Sequence, residues 1–590
     1  SMAQFYNKIP SLQKVNKRFS NSSSKNSRDN KKAPKAKKFQ RTFKLHSDSD
    51  SVLVIKHNLN NKKVKVSATT TDNKAFAVKF KVRDENNVEI LTTGDKNIKF
   101  VITEDLTEKK SFFSEFAQYA TRVLMSVRNV SVRFRNTQSL SIPQYIPEIG
   151  DIFGQSTKYD VLAPGLDFAF GLVGPGYVQR IKDRGWLLGD QTMTTPALYS
   201  RTQEFNAEIQ LEPVKGLKIT LTGNRTDNRT NQMQFMYDDM GMLYSGSYTK
   251  THMAIKTVFA SRGNSENGYH SSVFDTFLAN REIIAQRLQD QYIGTTYPDR
   301  GFIKGTIHAG QPFDPEQSKV NTMSSDVLIP AFMAAYSGRS AKTYTLSAFP
   351  SLKEILPNWR VTYDGLSKLP FFSKHFKNFT LNHAYQCTYQ VGSFNSFTDW
   401  IDIGANMGFT QDALTGGIIP SSPYNISSVT VTERFAPLIG VNATLNNGIT
   451  FNCEYKDQRT LTLNSAAGQV VEANTRSFVI GAGYKIANFA SVLKLKRGQQ
   501  QGVSNDLTLN FDLQLNNNNA LIRKIIDNTA QATSGTRTFS VKFTANYQLS
   551  KRITLGAYFD YQANTPLVST TSYPTSSTNY GLSFNMSLVK

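Results

Sequence analysis

Leu507-Thr-Leu-Asn-Phe-Asp-Leu-Gln-Leu515 and Phe539-Ser-Val-Lys-Phe-Thr-Ala-Asn-Tyr547 decide the fold. In both, apolar residues alternate with polar ones, and a period of two sends successive side chains to opposite faces of a β-strand. Leu507, Leu509, Phe511, Leu513 and Leu515 share one face; Phe539, Val541, Phe543, Ala545 and Tyr547 repeat the row. Each run fits the about 9 to 11 residues of a bilayer-crossing strand better than the about 5 to 6 typical of a soluble sheet. The aromatics Phe539, Tyr547, Phe559 and Tyr561 sit near run ends, as the girdles at membrane interfaces require. The opposite rows are mostly uncharged, and Thr508, Asn510, Gln514, Ser540, Thr544 and Asn546 are the candidates to face a lumen.

Working outward, the alternation returns in Phe205, Ala207, Ile209 and Leu211, in Leu217, Ile219 and Leu221, and in Met253, Ile255, Thr257 and Phe259. It returns again from Phe379 through Leu381, His383, Tyr385 and Cys387 to Tyr389. Val441, Ala443 and Leu445 lead through Asn446-Asn447-Gly448 into Ile449, Phe451, Cys453 and Tyr455, a hairpin marked by its glycine turn. At the far end, Tyr580, Leu582, Phe584, Met586 and Leu588 alternate with small polar residues. Such an amphipathic terminal strand resembles the signal by which barrel-assembly machinery recognises outer-membrane barrels. The expected fold is all-β dominated, a transmembrane antiparallel β-barrel, with a large soluble β-protein as the rival.

Four regions follow. Residues 1–45 read as a basic flexible linker or loop: from Lys14 to Lys44 there are twelve basic residues and one acid, Asp29. Such a composition cannot bury a core, and it suits acidic lipid head groups or passing polypeptide better than nucleic acid, since no recognition module accompanies it. Residues 46–110 read as a small antiparallel β-domain, with runs Val52–Leu59, Lys62–Thr70, Phe76–Asp84 and Ile98–Thr103. In 111–200, Phe112, Phe116, Tyr119, Val123 and Val127 predict a short amphipathic helix, followed by a strand through Val130, Val132 and Phe134 and a Gly/Pro-rich segment. Residues 201–590 read as barrel strands with a helical insertion at about 268–356. There Phe274, Phe277, Leu278, Ile284, Ala285, Leu288 and Tyr292 predict one helix, and Val327 to Tyr336 another. The insertion belongs outside the membrane or in the lumen.

Composition excludes other classes. With 68 Lys plus Arg against 45 Asp plus Glu the formal charge is +23, yet charged residues make up only 19%, which excludes a wholly disordered chain. The most apolar stretch, Val161 to Val178, contains Asp167, Pro164 and Pro175 and reads as a folded-back loop rather than a spanning helix. Ser1 to Pro10 lack the charged and apolar regions of a signal peptide, so a cytoplasmic chain, or one whose original N-terminus lies elsewhere, is expected. Cys387 and Cys453 fall on apolar rows and read as small hydrophobes. Seven scattered histidines form no HExxH pair, and neither a phosphate loop nor a GxSxG elbow occurs, so no catalytic, cofactor or metal residues are assigned. An outer-membrane hydrolase would have to draw on His383 beside Asn382, or Asp238 and Asp239 near Tyr237.

Several segments resemble the C-terminal part of the SprA/Sov family, the outer-membrane translocon of the type IX secretion system. They are Ala163-Pro-Gly-Leu-Asp-Phe-Ala-Phe-Gly171, Ser325-Asp-Val-Leu-Ile-Pro-Ala-Phe-Met-Ala-Ala-Tyr336 and Leu356-Pro-Asn-Trp-Arg-Val-Thr-Tyr-Asp-Gly-Leu366. Ile419-Pro-Ser-Ser-Pro-Tyr424, Gln531-Ala-Thr-Ser-Gly535 and Pro566-Leu-Val-Ser569 complete the set. The resemblance implies a part of a very large barrel in the bacterial outer membrane, passing folded cargo proteins with C-terminal sorting domains from periplasm to surface. It also implies a shuttle barrel of the PorV type, a periplasmic plug protein, the barrel-assembly machinery and outer-membrane lipids as partners, and no enzyme activity. Family members are several times longer. The barrel region here has room for some 14 to 18 strands. A porin or nutrient-transporter barrel is the alternative that periodicity alone leaves open.

Overall fold

The computed structural model describes residues 37–45, 52–70, 74–91, 97–104, 125–148, 150, 153–159, 161–174, 176–188, 195–234, 242–412, 415–487, 489, 506–549, 552–568 and 572–587. It divides into two units, one within Tyr6–Met125 and one from Ser126 onward.

The smaller unit pairs two short antiparallel sheets. One runs β1 (Lys38–Lys44), β7 (Asn97–Glu104), β3 (Val64–Thr70), β4 (Ala75–Phe76); the other runs β2 (Leu53–Lys56), β6 (Asn87–Ile90), β5 (Phe80–Val82). Ile55, Val88, Ile90, Ile98, Phe100 and Ile102 are buried between them. The linker expected through residue 45 is corrected at its end. Lys38–Lys44 is a strand in register with β7, because Phe39 and Phe43 pack against this core and outweigh the basic residues around them. The rest of the basic tract, and the helix expected over 112–127 up to Val123, lie outside the described residues. Val127 itself opens a strand.

The larger unit is built on one antiparallel sheet of 14 strands. Its path begins at β8 (Val127–Ser141), β9 (Ala197–Leu211), β10 (Leu217–Met233) and β11 (Leu243–Thr251). It continues through β13 (Phe376–Ser396), β18 (Ser428–Leu445), β19 (Thr450–Asn464) and β20 (Gln469–Ile486), and ends with β21 (Leu507–Lys524), β22 (Thr529–Gln548), β23 (Ile553–Pro566) and β24 (Thr575–Met586). The sheet therefore starts at Val127, not at residue 201, since β8 pairs with β9 from Val127 opposite Leu211 to Ser141 opposite Leu198. Strands of 15 to 21 residues are common in it, well beyond soluble-sheet lengths. Among the described residues no helix is long and apolar enough to cross a membrane.

One position in the sheet is split. β10 pairs with β11 over Arg225–Gln232 and with β12 (Asn358–Tyr363) over Leu217–Thr222, and both lie against β13. The helical insertion leaves the wall in mid-strand, between Thr251 and Asn358, earlier than the expected residue 268. The strand expected through Met253, Ile255, Thr257 and Phe259 is absent; Ile255–Val258 is a helical turn. The alternation was too short to outweigh tertiary partners, as the Ala254 amide donates to Tyr385 Oη at 3.0 Å and Thr257 Oγ1 donates to the Tyr336 carbonyl.

Both expected helices form, as α1 (Ser272–Tyr292) and α2 (Ser325–Tyr336). Every residue from Val327 to Tyr336 is buried, and Phe277 of α1 meets Phe332 of α2 edge to face at 6.0 Å. The insertion's core is continuous with Tyr385, Cys387, Tyr389, Val391 and Leu461 of the sheet. A three-stranded sheet, β14 (Ile401–Gly404), β15 (Met407–Gln411) and β16 (Ile418–Ser421), packs Phe409 against Tyr292, Tyr297 and Phe313, while the short β17 (Tyr424–Asn425) pairs with the end of β13.

Candidate functional site

The two faces of the large sheet carry different chemistry, and the register places the change on neighbouring strands at one level. Tyr455, Phe478, Leu515 and Phe539 stand side by side across β19 to β22. Two residues further along the same face stand Asp457, Arg476, Asn517 and Arg537. On one side of this line the row is apolar: Leu507 to Leu515 on β21, Phe539 to Tyr547 on β22, and Leu555, Ala557, Phe559 and Tyr561 on β23. β10 repeats the division, with Leu217, Ile219 and Leu221 before Gly223 and Arg225, Asp227 and Arg229 after it.

The apolar zone has no protein cover at many positions. Phe511, Phe543 and Phe559 keep about two-fifths of their surface exposed, at 38%, 38% and 40%. On β24 the exposure rises to 78% for Tyr580, 88% for Leu582 and 61% for Phe584. These residues of the expected assembly signal lie with Met586 on a strand paired to β23; Leu588 lies outside the described residues. Large exposed apolar patches are unusual on soluble proteins.

Beyond the line, the same face is charged and covered by the insertion. Glu433 and Arg459, both buried, pair at 2.7 Å, and Arg459 reaches over to donate to the Thr257 carbonyl at 2.9 Å. Glu472 lies 3.0 Å from Arg262 of the insertion and 3.5 Å from Arg523, whose Nη2 donates to the Arg262 carbonyl at 3.0 Å. Asp227 is held between Arg225 at 2.8 Å and Arg229 at 2.9 Å. Within the insertion, burial pushes the Asp326 carboxyl above its ordinary range, although the Ser422 amide and hydroxyl donate to it at 2.8 and 2.6 Å. These charges escaped the sequence reading. Their signal was a charge on the apolar parity of a long strand, as Arg459 is in the row begun by Phe451.

The opposite face gathers the lumen candidates. Thr508 faces Asn546, Asn510 faces Thr544 and Gln514 faces Ser540 across β21 and β22, and Asn510 Nδ2 donates to Thr544 Oγ1 at 3.3 Å. Of these, Asn510 and Thr544 line a shallow hollow of about 410 Å³ together with Asn442, Asn452, Asp512 and two glycines. At Gly481 a Cβ would fall 1.9 Å from Asn452 Oδ1, so any side chain there would push the Asn452 amide aside. Amides and hydroxyls on this face bond one another, as Asn510 and Thr544 do.

Of the residues considered for a hydrolase, His383 and Asn382 are not brought to one face. His383 lies on the apolar face with its Nδ1 2.7 Å from the Leu438 carbonyl and its ring between Trp359 and Phe435, while Asn382 alternates to the other face. Tyr237, Asp238 and Asp239 lie outside the described residues. Cys387 is buried in the core shared with the insertion and Cys453 is half-buried. Among the described residues no group of three or more His, Cys, Asp or Glu side chains is placed to hold a metal ion.

No protein-family profile matches the chain, and no curated protein does. The chain is distantly similar to solved structures of OmpT, an outer membrane protein of Vibrio cholerae. The in-vitro folded trimer form is 8% identical, with 65% of this chain and 91% of that one covered and a TM-score of 0.17. A mutant lacking loop L8 is 8% identical, covering 66% and 93% at a TM-score of 0.16; another in-vitro folded form is 8% identical, covering 78% and 97% at 0.16. Scores this low carry no argument about this chain.

Proposed function

We propose that this chain forms part of the wall of a bacterial outer-membrane β-barrel that conducts folded proteins from periplasm to cell surface, as the type IX secretion translocon does. One observation carries the membrane reading: an exposed apolar zone and a mostly uncharged polar row back to back on the same long strands, with the apolar zone ending at one level across neighbouring strands. Lipid on one side and water on the other demand that arrangement, since spanning strands need an apolar outer band and tolerate polar groups only toward the lumen.

Support for protein conduction comes from the segments that resemble SprA/Sov. Two pairs of them, remote in sequence, meet in space: Asp326 of the α2 segment accepts from Ser422, and the Leu567 amide donates to the Gly535 carbonyl at 2.9 Å. In this reading the insertion, lying on the apolar-zone face, stands outside the conduit just beyond the lipid, and closure falls to partners. A plug would close the periplasmic mouth, and a shuttle barrel would approach through the membrane. The polar row is a low-friction lining. Its groups are mostly amides and hydroxyls; the charges among them, Asp512, Lys542 and Asp560, stand in one register row with Lys542 3.7 Å from Asp560, whereas a specific pocket is built on anchored aromatics and charges.

Photo-crosslinking in secreting cells tests this. A benzophenone side chain placed at Asn510 or Thr544 of the protein should capture cargo in transit, and one at Phe543 should not. Normal secretion with no cargo adduct from the polar row would overturn the conduit reading and return the porin alternative.

A further inference from the structure

The connection between β12 and β13 has a composition unlike the rest of the wall. Between Asp364 and Asn378 lie Lys368, Lys374, His375 and Lys377 with no acid among them, interleaved with Leu369, Phe371, Phe372 and Phe376. Part of it is a six-residue helix, α3 (Pro370–His375). It is fastened to the end of the apolar zone: the Phe372 ring lies 4.8 Å from that of Phe379, which shares the apolar parity of β13 with Leu381 and Tyr385. Asn446, in the neighbouring turn, donates its amide to the His375 carbonyl at 3.1 Å and its Nδ2 to the Lys374 carbonyl at 2.8 Å. The backbone is thus anchored, yet Phe371 is 68% and Leu369 49% exposed. Lys374 and Lys377 are exposed, and Lys368 is 3.9 Å from Asp364, with half of its side chain still open to solvent at 49%.

We propose that residues 368–377 form a lipid-docking foot that seats Phe371 and Leu369 among the acyl-chain ends of the adjoining leaflet and takes anionic phospholipid phosphates on Lys368, Lys374 and Lys377. This rests on the membrane reading above. A soluble partner would need the apolar side chains to be free of the bilayer. Here Phe372 and Phe379 make them continuous with the zone that reading puts in lipid. Aromatic rings favour the level of the head groups, and lysines there extend their apolar stems along the chains while the ammonium stays at the phosphates. Lys374 and Lys377, with the half-open Lys368 beyond its contact to Asp364, select negative head groups over zwitterionic ones. The foot would hold the split β11/β12 position, where the insertion interrupts the wall, against the membrane.

Tryptophan quenching tests it on the full chain, purified as the cell makes it and reconstituted into vesicles containing brominated phosphatidylglycerol or brominated phosphatidylcholine. Phe371→Trp reports the foot and Phe543→Trp the middle of the apolar zone, each read as the increment over the parent. Both should be quenched. Phe371→Trp should favour phosphatidylglycerol by about fivefold for each lysine engaged, and Lys368→Gln/Lys374→Gln/Lys377→Gln should abolish that preference. Phe543→Trp should show no head-group preference. Quenching at 543 without quenching at 371 overturns the foot alone. Equal quenching of Phe371→Trp by the two lipids overturns the anionic-lipid assignment. Absence of quenching at 543 overturns the membrane reading, and the foot with it.

Discussion

Arg459 lies on the row that Phe451, Cys453 and Tyr455 begin, yet it is buried under the insertion. Its guanidinium ties β19 to two other elements: Glu433 of β18 at 2.7 Å, and the Thr257 carbonyl and hydroxyl of the insertion at 2.9 and 3.1 Å. Tyr385 donates to the other Glu433 oxygen. Removing one partner of a buried pair leaves the other charge without its counterion and costs about 3 to 5 kcal/mol, whereas replacing both by neutral groups is often neutral. Arg459→Met should therefore loosen the insertion, read as faster proteolysis within 252–357, and Arg459→Met/Glu433→Gln should recover most of the resistance. A single variant as resistant as the parent would remove this pair from the account of how the insertion is held. The charge was visible in the sequence, but its partner was not, because Thr257 is 202 residues away and had been expected on a strand.

At the scale of elements, the long strands carry opposite demands on their two faces. Phe543 and Asn510 are close neighbours across β21 and β22, one in the apolar zone and one in the polar row. A basic residue in the lipid-facing row near the midplane costs about 2 to 4 kcal/mol, and in a watery lumen far less. Phe543→Arg should lower outer-membrane abundance measured by fractionation, and Asn510→Arg should leave it nearly unchanged. The reverse order would exchange lumen and lipid faces. The alternation that places these residues was legible because a strand's two-residue period is local. Where the strand ends was not: Ile255–Val258 alternates as β10 does, yet packs as a helical turn under Tyr336 and Tyr385.

For the whole molecule, the edges of the sheet matter most. Among the described residues, β8 and β24 each pair with a neighbour on one side only, β9 and β23. In lipid the unpaired backbone groups along a free edge cost several kcal/mol each, which is why spanning sheets close. The 590-residue chain alone in liposomes should give no stable, single-valued conductance, and a defined channel formed without further polypeptide would contradict that. The sequence by itself determined the strand-rich class, the two rows of chemistry on each long strand, both insertion helices and the polar residues proposed to line the conduit. All depend on side chains a few positions apart, where periodicity is set by backbone geometry. The tertiary structure alone decided that the apolar zone ends at one level from β19 to β22, that Lys38–Lys44 is a strand, that one wall position is split between β11 and β12, and on which face the insertion lies. Those features rest on register and on contacts between segments far apart in the chain, where the balance of burial, pairing and charge is settled by neighbours that no local pattern names.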